Sequence, residues 1–534
     1  MTRHLALASL TLALAAAPLA PALAFCGFYV SDANQSLVNK ATRVALMRDG
    51  TRTVLSMSND YDGPAQDFAM VVPVPIVLQQ ENVHTLPQEV FTHLESLTAP
   101  RLVEYWEQDP CYRPPAIRYR AGRRSMEGAA AMPTDEAADD RDLGVRIEAR
   151  FSVGEYDVLV LSATQSTGLE TWLHQNHYNI PTGAAEYLSP YVREQWKFFV
   201  AKVDIERAQR RPGGGVRLSP LRFHYDAQDF RLPVRLGLMN ANGAQDLIVY
   251  VLHPTSRFEV ANYANVFIPT NLDVSNSARG NFGELYARLF DYTLDQAGGR
   301  AVVTEYSWST NSCDPCPTPP IDQSELQVLG ADVLGQGRPG FDQSYHVYNM
   351  TVTRLHTRYD RATLTEDLVF REAPPVSGGR EVQGRAGRLE QGATPAEYGG
   401  NNFQARYAIR HPWTGPIRCA NPIRGRWGGP PNGATPPPVA ARDLADVTRG
   451  RLRLASYVRS PIPALSRGST PPRVAPPPPQ PPSTPPSVTP PVRTPTVAPG
   501  GRVIQKADAR SVETWGATAL LVAVGLFVRR RAKR

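Results

Sequence analysis

The sequence predicts an α+β fold with mixed or antiparallel sheets and a few helices, stabilised by disulfide bonds. A disordered proline-rich stalk and a C-terminal transmembrane segment are predicted to follow it. Three observations favour this fold class. Strand-like runs outnumber helical patterns up to about residue 430. Five cysteines occur in a chain with an export signal. The remaining residues become rich in proline and end in an apolar block with a basic tip.

Residues 1–24 have the pattern of a secretory signal peptide. An apolar core over residues 5–17 precedes small residues that end at Ala24, which is the expected cleavage site. The alternative is a lipoprotein signal in which Cys26 accepts the lipid. Phe25 argues against it, because a bulky residue stands where the lipoprotein peptidase requires a small one. We therefore expect export without lipidation.

Residues 25–430 form the predicted exported head, and its first part carries clear local signals. Asp49-Gly50 between RVALM and RTVLSM predicts a hairpin with a two-residue turn. The next apolar run, DFAMVVPVP, contains prolines that argue against a central strand. Pro87 predicts the start of a short helix, QEVFTHLESL.

The middle of the head predicts alternating strands and helices. RIEARFSV, YDVLVLSA and FFVAKVDI have strand patterns, and residues 187–196 predict a helix. Thr167 and Glu170 form a capping box that predicts the start of the helix GLETWLHQNHY. Residues 207–216 are polar and glycine-rich, which marks a break within the head.

Beyond this break the sequence predicts an antiparallel meander. Its strands are LRFHYD, LPVRLGLMN and DLIVYVLHP, and Asn242-Gly243 joins the last two. The amphipathic run at 283–296 predicts a helix. HVYNMTVTRLHTRY and FQARYAIRHP predict later strands.

The tail predicts a stalk and an anchor. Residues 431–510 form the stalk, because proline fixes φ and lacks the backbone donor of helices and sheets. Residues 515–528 predict the transmembrane segment, and residues 529–534 a basic tip on the cytoplasmic side. Such a segment spans about 21 Å of helix, which is short for a hydrocarbon core of roughly 30 Å. Removal as a sorting signal is therefore the alternative to permanent retention.

The basic residues are concentrated in this tail. Residues 441–534 hold 16 Lys/Arg and 4 Asp/Glu, so the formal net charge of +7 leaves an acidic head. An acidic head lacks the positive surface that nucleic acid requires. We expect no nucleic-acid partner.

All five cysteines are disulfide candidates: Cys26, Cys111, Cys313, Cys316 and Cys419. Disulfides are the default in an exported protein, with one thiol left over or paired between chains. The sequence does not fix their connectivity. We favour a long-range bond between Cys26 and Cys111 and a local bond between Cys313 and Cys316.

The CDPC sequence at 313–316 has the spacing of a redox motif. A redox-active pair usually owes its lowered thiol pKa to the N-terminus of a following helix. Here prolines follow at 317, 319 and 320, so no helix begins at this point. We expect a structural disulfide that fixes a loop, with a thiol-active protein as the alternative.

Two weaker patterns suggest metal binding. His174 and His177 lie three residues apart on a predicted helix, but beside its buried stripe and without a third ligand. Residues 58–63 resemble a calcium loop, but Ser58 takes the first ligand position and Ala69 replaces the bidentate Glu. We expect surface histidines, a plain turn, no metal and no cofactor.

The chain lacks the common catalytic signatures. No GxSxG, HExxH, Walker or GxGxxG motif occurs. A hydrolase site assembled from dispersed residues is compatible with the sequence, but no catalytic residue is identified.

Several segments, in order along the head, resemble the bacterial exported family called domain of unknown function 2330. They are FCGFYV, SNDYDGPAQDFAMVVPVP, YDVLVLSATQSTGLETWL, SPLRFHYDAQDFRLPVRLGLMNANGAQDLIVYVL, CDPC, TRLHTRYDRATLTEDLVF and FQARYAIRHPWTG with Cys419. The resemblance implies an envelope protein with a signal peptide and a C-terminal anchor. It implies no activity, cofactor or catalytic residue.

Together these observations lead to one functional hypothesis and one alternative. The hypothesis is an uncharacterised bacterial envelope protein that is more a binding or structural module than an enzyme. The C-terminal segment would hold its head in the periplasm or at the cell surface, where it would bind an envelope protein or polymer. The alternative is a periplasmic enzyme, either a hydrolase or a thiol-active protein.

Overall fold

The computed structural model describes residues 28–31, 39–61, 68–112, 143–336, 349–381 and 389–469, apart from 179, 182, 211–215, 240–242, 397–399, 432, 443, 445–446 and 448. The chain divides by its contacts into two units, Met1–Arg473 and Val474–Arg534, and all described residues belong to the first. Ala24, Cys26 and residues 515–534 lie outside the described residues. Within the described ranges, no helix is long and apolar enough to cross a membrane.

Strands dominate the described part of the chain. They are β1 (Phe28–Ser31), β2 (Asn39–Asp49), β3 (Arg52–Tyr61), β4 (Phe68–Val74), β5 (Val83–Thr85), β6 (Arg101–Glu107), β7 (Val145–Val153), β8 (Tyr156–Ala163), β9 (Lys197–Val203), β10 (Gln209–Arg210), β11 (Val216–Arg217), β12 (Leu221–Asp226), β13 (Arg231–Leu232), β14 (Gln245–His253), β15 (Arg257–Val260), β16 (Ala264–Phe267), β17 (Leu272–Asp273), β18 (Ala301–Ser309), β19 (Thr351–Tyr359), β20 (Leu368–Ala373), β21 (Val376–Gly378), β22 (Thr394–Pro395), β23 (Asn402–Gln404), β24 (Arg406–His411), β25 (Trp427–Gly428) and β26 (Val439–Ala440).

The α-helices of the described residues are fewer, as the sequence predicts. They are α1 (Gln88–Thr98), α2 (Ser166–Gln175), α3 (Ala184–Arg193), α4 (Phe282–Gln296) and α5 (Gln323–Val328). The predicted helices at QEVFTHLESL and at 283–296 are confirmed as α1 and α4. The fold class is therefore a sheet-rich α+β fold.

The largest sheet is mixed and is built around the predicted hairpin. β2 pairs with β3, and Gly50 in their turn has φ 57°, the left-handed conformation that this turn requires. The strand order is β22-β21-β23-β18-β19-β14-β2-β3-β12-β5, with β16 on β18. β14 pairs in parallel with β2, whereas β14 and β19 are antiparallel.

A second sheet is antiparallel, in the order β1-β4-β9-β8-β7. The prediction that DFAMVVPVP is not a central strand is wrong, because β4 lies between β1 and β9. Among the described residues, β1 pairs with residues 68–71 and Pro73 pairs with Phe198 of β9, so the missing N–H of Pro73 interrupts no described backbone pairing with β1.

Three smaller sheets complete the described part of the fold. β17-β24-β6-β25 form one, with β26 also on β6, and β13-β20-β15 form another. β10 and β11 form a short hairpin across the sequence break predicted at 207–216.

The layers follow from the alternation of side chains along the strands. Val44 and Leu46 of β2 belong to the core shared with the second sheet, whereas Ala45 and Met47 pack towards α1 and α5. α2 and α3 cover the far face of the second sheet. α4 packs on β16, β18 and β24 in a separate core.

Two local predictions in the head are wrong. LPVRLGLMN is not a meander strand, since only Leu232 lies in a strand and 235–238 form a 3₁₀ turn. Thr167 and Glu170 do not form a capping box, because α2 begins at Ser166 and its N-cap position is Gln165, so Thr167 lies inside the helix. Glu170 instead accepts hydrogen bonds from the backbone of Gly183 and Ala185, at 3.1 and 3.0 Å, at the start of α3.

The last described segment, residues 449–469, is named the strap. The sequence assigns it to the stalk, but it packs against α4 through apolar side chains: Leu452, Leu454, Tyr457, Val458, Ile462 and Leu465. Backbone hydrogen bonds hold it, including Arg459 N to Asp273 O at 2.7 Å and Phe267 N to Ser466 O at 3.0 Å. The strap is therefore part of the packed unit.

Candidate functional site

The described cysteines form two disulfides. Cys313 is bonded to Cys316, as predicted. Cys111 is bonded to Cys419, with Cα atoms 5.6 Å apart, so the favoured bond between Cys111 and Cys26 is wrong. The reason is the parallel pairing of β6 with β24, which brings the segments that follow both strands to the same end of the sheet.

The disulfide loop at 313–316 closes over buried polar groups. Asp314 Oδ2 accepts a hydrogen bond from Glu381 N at 2.6 Å and lies near the fully buried Arg406. The carbonyl of Pro315 accepts from Arg101, another buried arginine, at 2.8 Å. The next helix, α5, begins only at Gln323, so neither cysteine lies at the N-terminus of a helix. These contacts favour a structural role for the loop.

The residues weighed as metal ligands are not brought together. His174 is exposed on α2, and His177 is exposed after its end with φ 62°. Ser58 is buried in β3, where it accepts a 2.9 Å hydrogen bond from Gln88 Nε2, so residues 58–61 are strand rather than turn. Among the described residues, no group of three His, Cys, Asp or Glu could hold a metal ion.

A chain of buried charges lies on the face of the large sheet that carries α1 and α4. Arg354 of β19 is its centre. Its guanidinium donates to Glu305 of β18 at 2.6 Å and to both carboxylate oxygens of Glu95 of α1 at 2.9 and 3.1 Å. Tyr250 also donates to Glu95. Arg354 and Glu305 have no exposed side-chain surface.

His356 extends the chain of charges along β19. Its Nδ1 lies 2.8 Å from Glu305 Oε1 and its Nε2 lies 3.1 Å from Asp246 Oδ1. Phe290 of α4 stacks on the imidazole, with ring centroids 3.9 Å apart. Asp246 in turn accepts hydrogen bonds from Arg358 at 2.7 Å and from Arg449 at 3.1 Å.

These partners set the charge states. Burial alone would raise the pKa of Glu305, but the His356 and Arg354 charges outweigh it and lower the pKa to about 2. Asp246 is also buried, yet His356, Arg449 and Arg358 lower its pKa to about 2. Burial disfavours the imidazolium of His356, but Glu305 and Asp246 outweigh it and raise its pKa. The network is therefore ionised and internally neutralised.

This network has the composition of a catalytic cluster but not its accessibility. Glu95 and Asp246 have side chains 5 % exposed, and His356 and Glu305 are fully buried. Every carboxylate named in it faces an arginine or the imidazole. A substrate would have to displace these partners, so the arrangement favours a structural role.

An accessible concave site in the described part of the chain lies between α4 and the strap. It is a cleft of about 860 Å³. Arg288 and Tyr292, one turn apart on α4, line one wall, and residues 450–455 line the other. Val458 and Ile462 of the strap add apolar surface.

The cleft is positively charged. Arg451 and Arg453 are exposed and Arg288 is half-buried. Among the described residues, none of these three guanidinium groups forms an ion pair or a hydrogen bond. By contrast, Arg449 at the start of the strap bonds Asp291 of α4 and Asp246. Asp291, the acidic residue between Arg288 and Tyr292 on α4, is therefore already paired with Arg449.

Sequence reasoning missed this cleft. The RLRL pattern at 451–454 alternates charged and apolar residues, which is the signal of an extended segment with one buried face. The signal is masked because residues 449–469 lie within the basic, proline-containing stretch that predicts the stalk.

The fold and the cleft define the class: a disulfide-bonded α+β module with an arginine-lined surface cleft. The chain belongs to the bacterial family described as "Uncharacterized protein conserved in bacteria (DUF2330)", whose model matches residues 20–371. The resemblance seen in the sequence is thus confirmed over these residues, and FQARYAIRHPWTG and Cys419 lie beyond the match. The match includes α4 and Arg288 and ends before the strap. Neither the curated proteins nor the solved structures gave a match.

Proposed function

We propose that this protein is an exported, membrane-tethered binding module that takes an anionic ligand in the cleft between α4 and the strap. One observation carries the proposal: Arg288, Arg451 and Arg453 line a concave surface without a counter-ion among the described residues. Guanidinium groups bind carboxylates and phosphates through paired, charge-assisted hydrogen bonds.

The lining of the cleft favours binding over catalysis. It contains no carboxylate, imidazole or thiol among the described residues, and Tyr292 and Ser460 are its hydroxyl side chains. A hydroxyl nucleophile needs a general base within hydrogen-bond reach, and the lining offers none. The histidine and carboxylates of the buried network are used by the fold itself.

The location in the envelope is supported by the two ends of the sequence. The apolar core and Ala24 favour export by a signal peptide. Residues 515–528, followed by the basic tip 529–534, favour a C-terminal membrane anchor with the head outside the cytoplasm. The proline-rich residues between the strap and this block would act as an extended spacer.

Citrate is a suitable first probe because it carries several carboxylates. We expect the full chain, in detergent, to bind citrate in isothermal titration calorimetry at low ionic strength. Replacement of Arg288, Arg451 and Arg453 by alanine together should abolish binding. Arg217→Ala is the matched control, since Arg217 is an exposed arginine outside the cleft. Equal citrate affinity in the triple variant and the wild type would refute the cleft as the ligand site.

The tether has a separate test. Deletion of residues 515–534 should move the protein from the membrane fraction to the soluble exported fraction. Unchanged membrane association of the truncated chain would refute the anchor and would leave the cleft proposal intact.

A further inference from the structure

We infer that the natural ligand of the cleft is a linear acidic polysaccharide that lies along the strap and bridges it to α4. This inference rests on the proposed anion-binding function and specifies the chemistry of its ligand. It follows from the spacing of the arginines, from the apolar surface between them and from the origin of the two walls.

The strap presents its charges in a row. Arg451 and Arg453 are exposed, whereas Leu452 and Leu454 are half-buried and pack on the core beneath α4. Arg453 has extended backbone angles, φ −96° and ψ 116°. Alternate residues of an extended chain lie on the same side and about 6.6 Å apart. Two such guanidinium groups match a polymer with repeating charges better than a single small anion.

The surface between the charges is apolar. Tyr292 is half-buried and offers part of its ring to the cleft, and Val458 and Ile462 continue the apolar surface. A sugar ring presents C–H groups that pack on such surfaces, while its carboxylate remains free for an arginine. Polyphosphate is charged all round and would leave this apolar lining in contact with water.

The two walls come from distant parts of the chain. Arg288 belongs to α4, and the strap follows more than 150 residues later. Arg449 fixes the start of the strap to Asp291 and Asp246, and Ser275 N donates to Tyr457 O at 2.8 Å. A polymer bound to Arg288, Arg451 and Arg453 would add a further link between α4 and the strap. Binding should therefore slow local opening of the strap.

The test compares polymers on the full chain in detergent. The probes are alginate oligomers, which carry a carboxylate on each sugar, neutral dextran, polyphosphate and phosphatidylglycerol vesicles. We expect alginate to bind at least about tenfold more tightly than citrate, because adjacent carboxylates act together. Dextran should not bind, and polyphosphate and the vesicles should bind more weakly than alginate.

A variant of Tyr292 separates the contribution of the sugar ring from that of the carboxylate charge. Tyr292→Ala should weaken alginate binding about tenfold and leave citrate affinity within about twofold, because only the sugar uses the ring. Tyr292→Phe should keep wild-type alginate affinity. Hydrogen exchange should show slower exchange of the strap amides with alginate, and Arg288→Ala should remove that protection.

The outcomes distinguish this inference from the proposed function. Citrate binding without a preference for alginate would refute the polysaccharide as the natural ligand, and so would tighter binding of polyphosphate or of the vesicles. Either result would leave the proposed anion-binding function of the cleft intact. Failure of the wild-type protein to bind any of the anions would overturn both.

Discussion

Arg354 donates from Nε to Oε2 of Glu305 at 2.6 Å, and neither side chain has exposed surface. The pair joins neighbouring strands β18 and β19 beneath α4. It is one link in a series of buried ion pairs that runs from Glu95 to Arg449. These contacts connect α1, the large sheet and the strap.

Removal of one charge of the Arg354–Glu305 pair, with the other retained, should strongly destabilise the protein. Glu305→Gln removes the carboxylate that Arg354 and His356 share, so Glu95 and Asp246 remain as their partners and the buried network carries an excess positive charge. We expect a loss of about 3–5 kcal/mol of unfolding free energy. Urea denaturation measures the loss. Asp226→Asn is the control, because the Arg52–Asp226 pair is exposed and its loss should cost at most about 1 kcal/mol. Similar losses in both variants would contradict the assigned role of Glu305.

Stability should depend on pH in two opposite ways. The pKa values of Glu305 and Asp246 are lowered to about 2, so their contribution is present above their ordinary values and lost as pH falls towards 2. The pKa of His356 is raised above 6.5, so its contribution is full below 6.5 and lost as pH rises through the raised value. The urea midpoint should therefore be highest between about pH 5 and 6.5.

His356→Gln isolates the histidine. The variant cannot lose a proton at this position, so the fall in urea midpoint between about pH 6 and 9 should be smaller than in the wild type. The fall on the acidic side should remain, because Glu305 and Asp246 are retained. An unchanged fall of the urea midpoint on the alkaline side would show that His356 is not the group responsible for it.

The two disulfides should differ in their effect on stability. Cys111–Cys419 closes a separation of 308 residues, and Cys313–Cys316 closes one of 3. In the chain-entropy model the long bond contributes about 6 kcal/mol and the short one about 2 kcal/mol. Cys419→Ser should therefore lower the thermal midpoint more than Cys316→Ser, and a reductant should remove most of the difference. The reverse order would contradict this connectivity.

Gly468 should be required for the docking of the strap. A Cβ at this position would lie 2.8 Å from Asn265 Cβ and 2.9 Å from Glu259 Oε2, both closer than side chains normally approach. Glu259 is fully buried and paired with Arg371, so it has little freedom to move. Gly468→Ala should speed hydrogen exchange in the strap, whereas Gly400→Ala, whose Cβ meets no atom within 4 Å, should not.

The sequence was informative where local chemistry decides structure. Asp49-Gly50 predicted a hairpin because the turn itself requires φ above zero, and the 3.6-residue pattern of 283–296 predicted α4. The capping box at Thr167 failed because Glu170 is used by the next helix, a contact that local spacing does not contain.

The buried network and the cleft depend on tertiary structure. Arg354 and His356 alternate with apolar residues in TRLHTRY, a pattern that suggests a solvent-facing strand surface. In the fold α1 and α4 cover that face, so the polar residues pair with carboxylates from other elements. The partner of Cys111 was missed for the same reason, since the pairing of β6 with β24 brings together two cysteines that are separated by 308 residues.

The most direct test of the central claim is arginine footprinting with phenylglyoxal and mass spectrometry. Arg288, Arg451 and Arg453 have no partner among the described residues, so they should react readily in the free protein. Citrate should protect these three arginines and leave Arg217 equally reactive. Protection absent from all three, or equal at Arg217, would contradict an anion site between α4 and the strap.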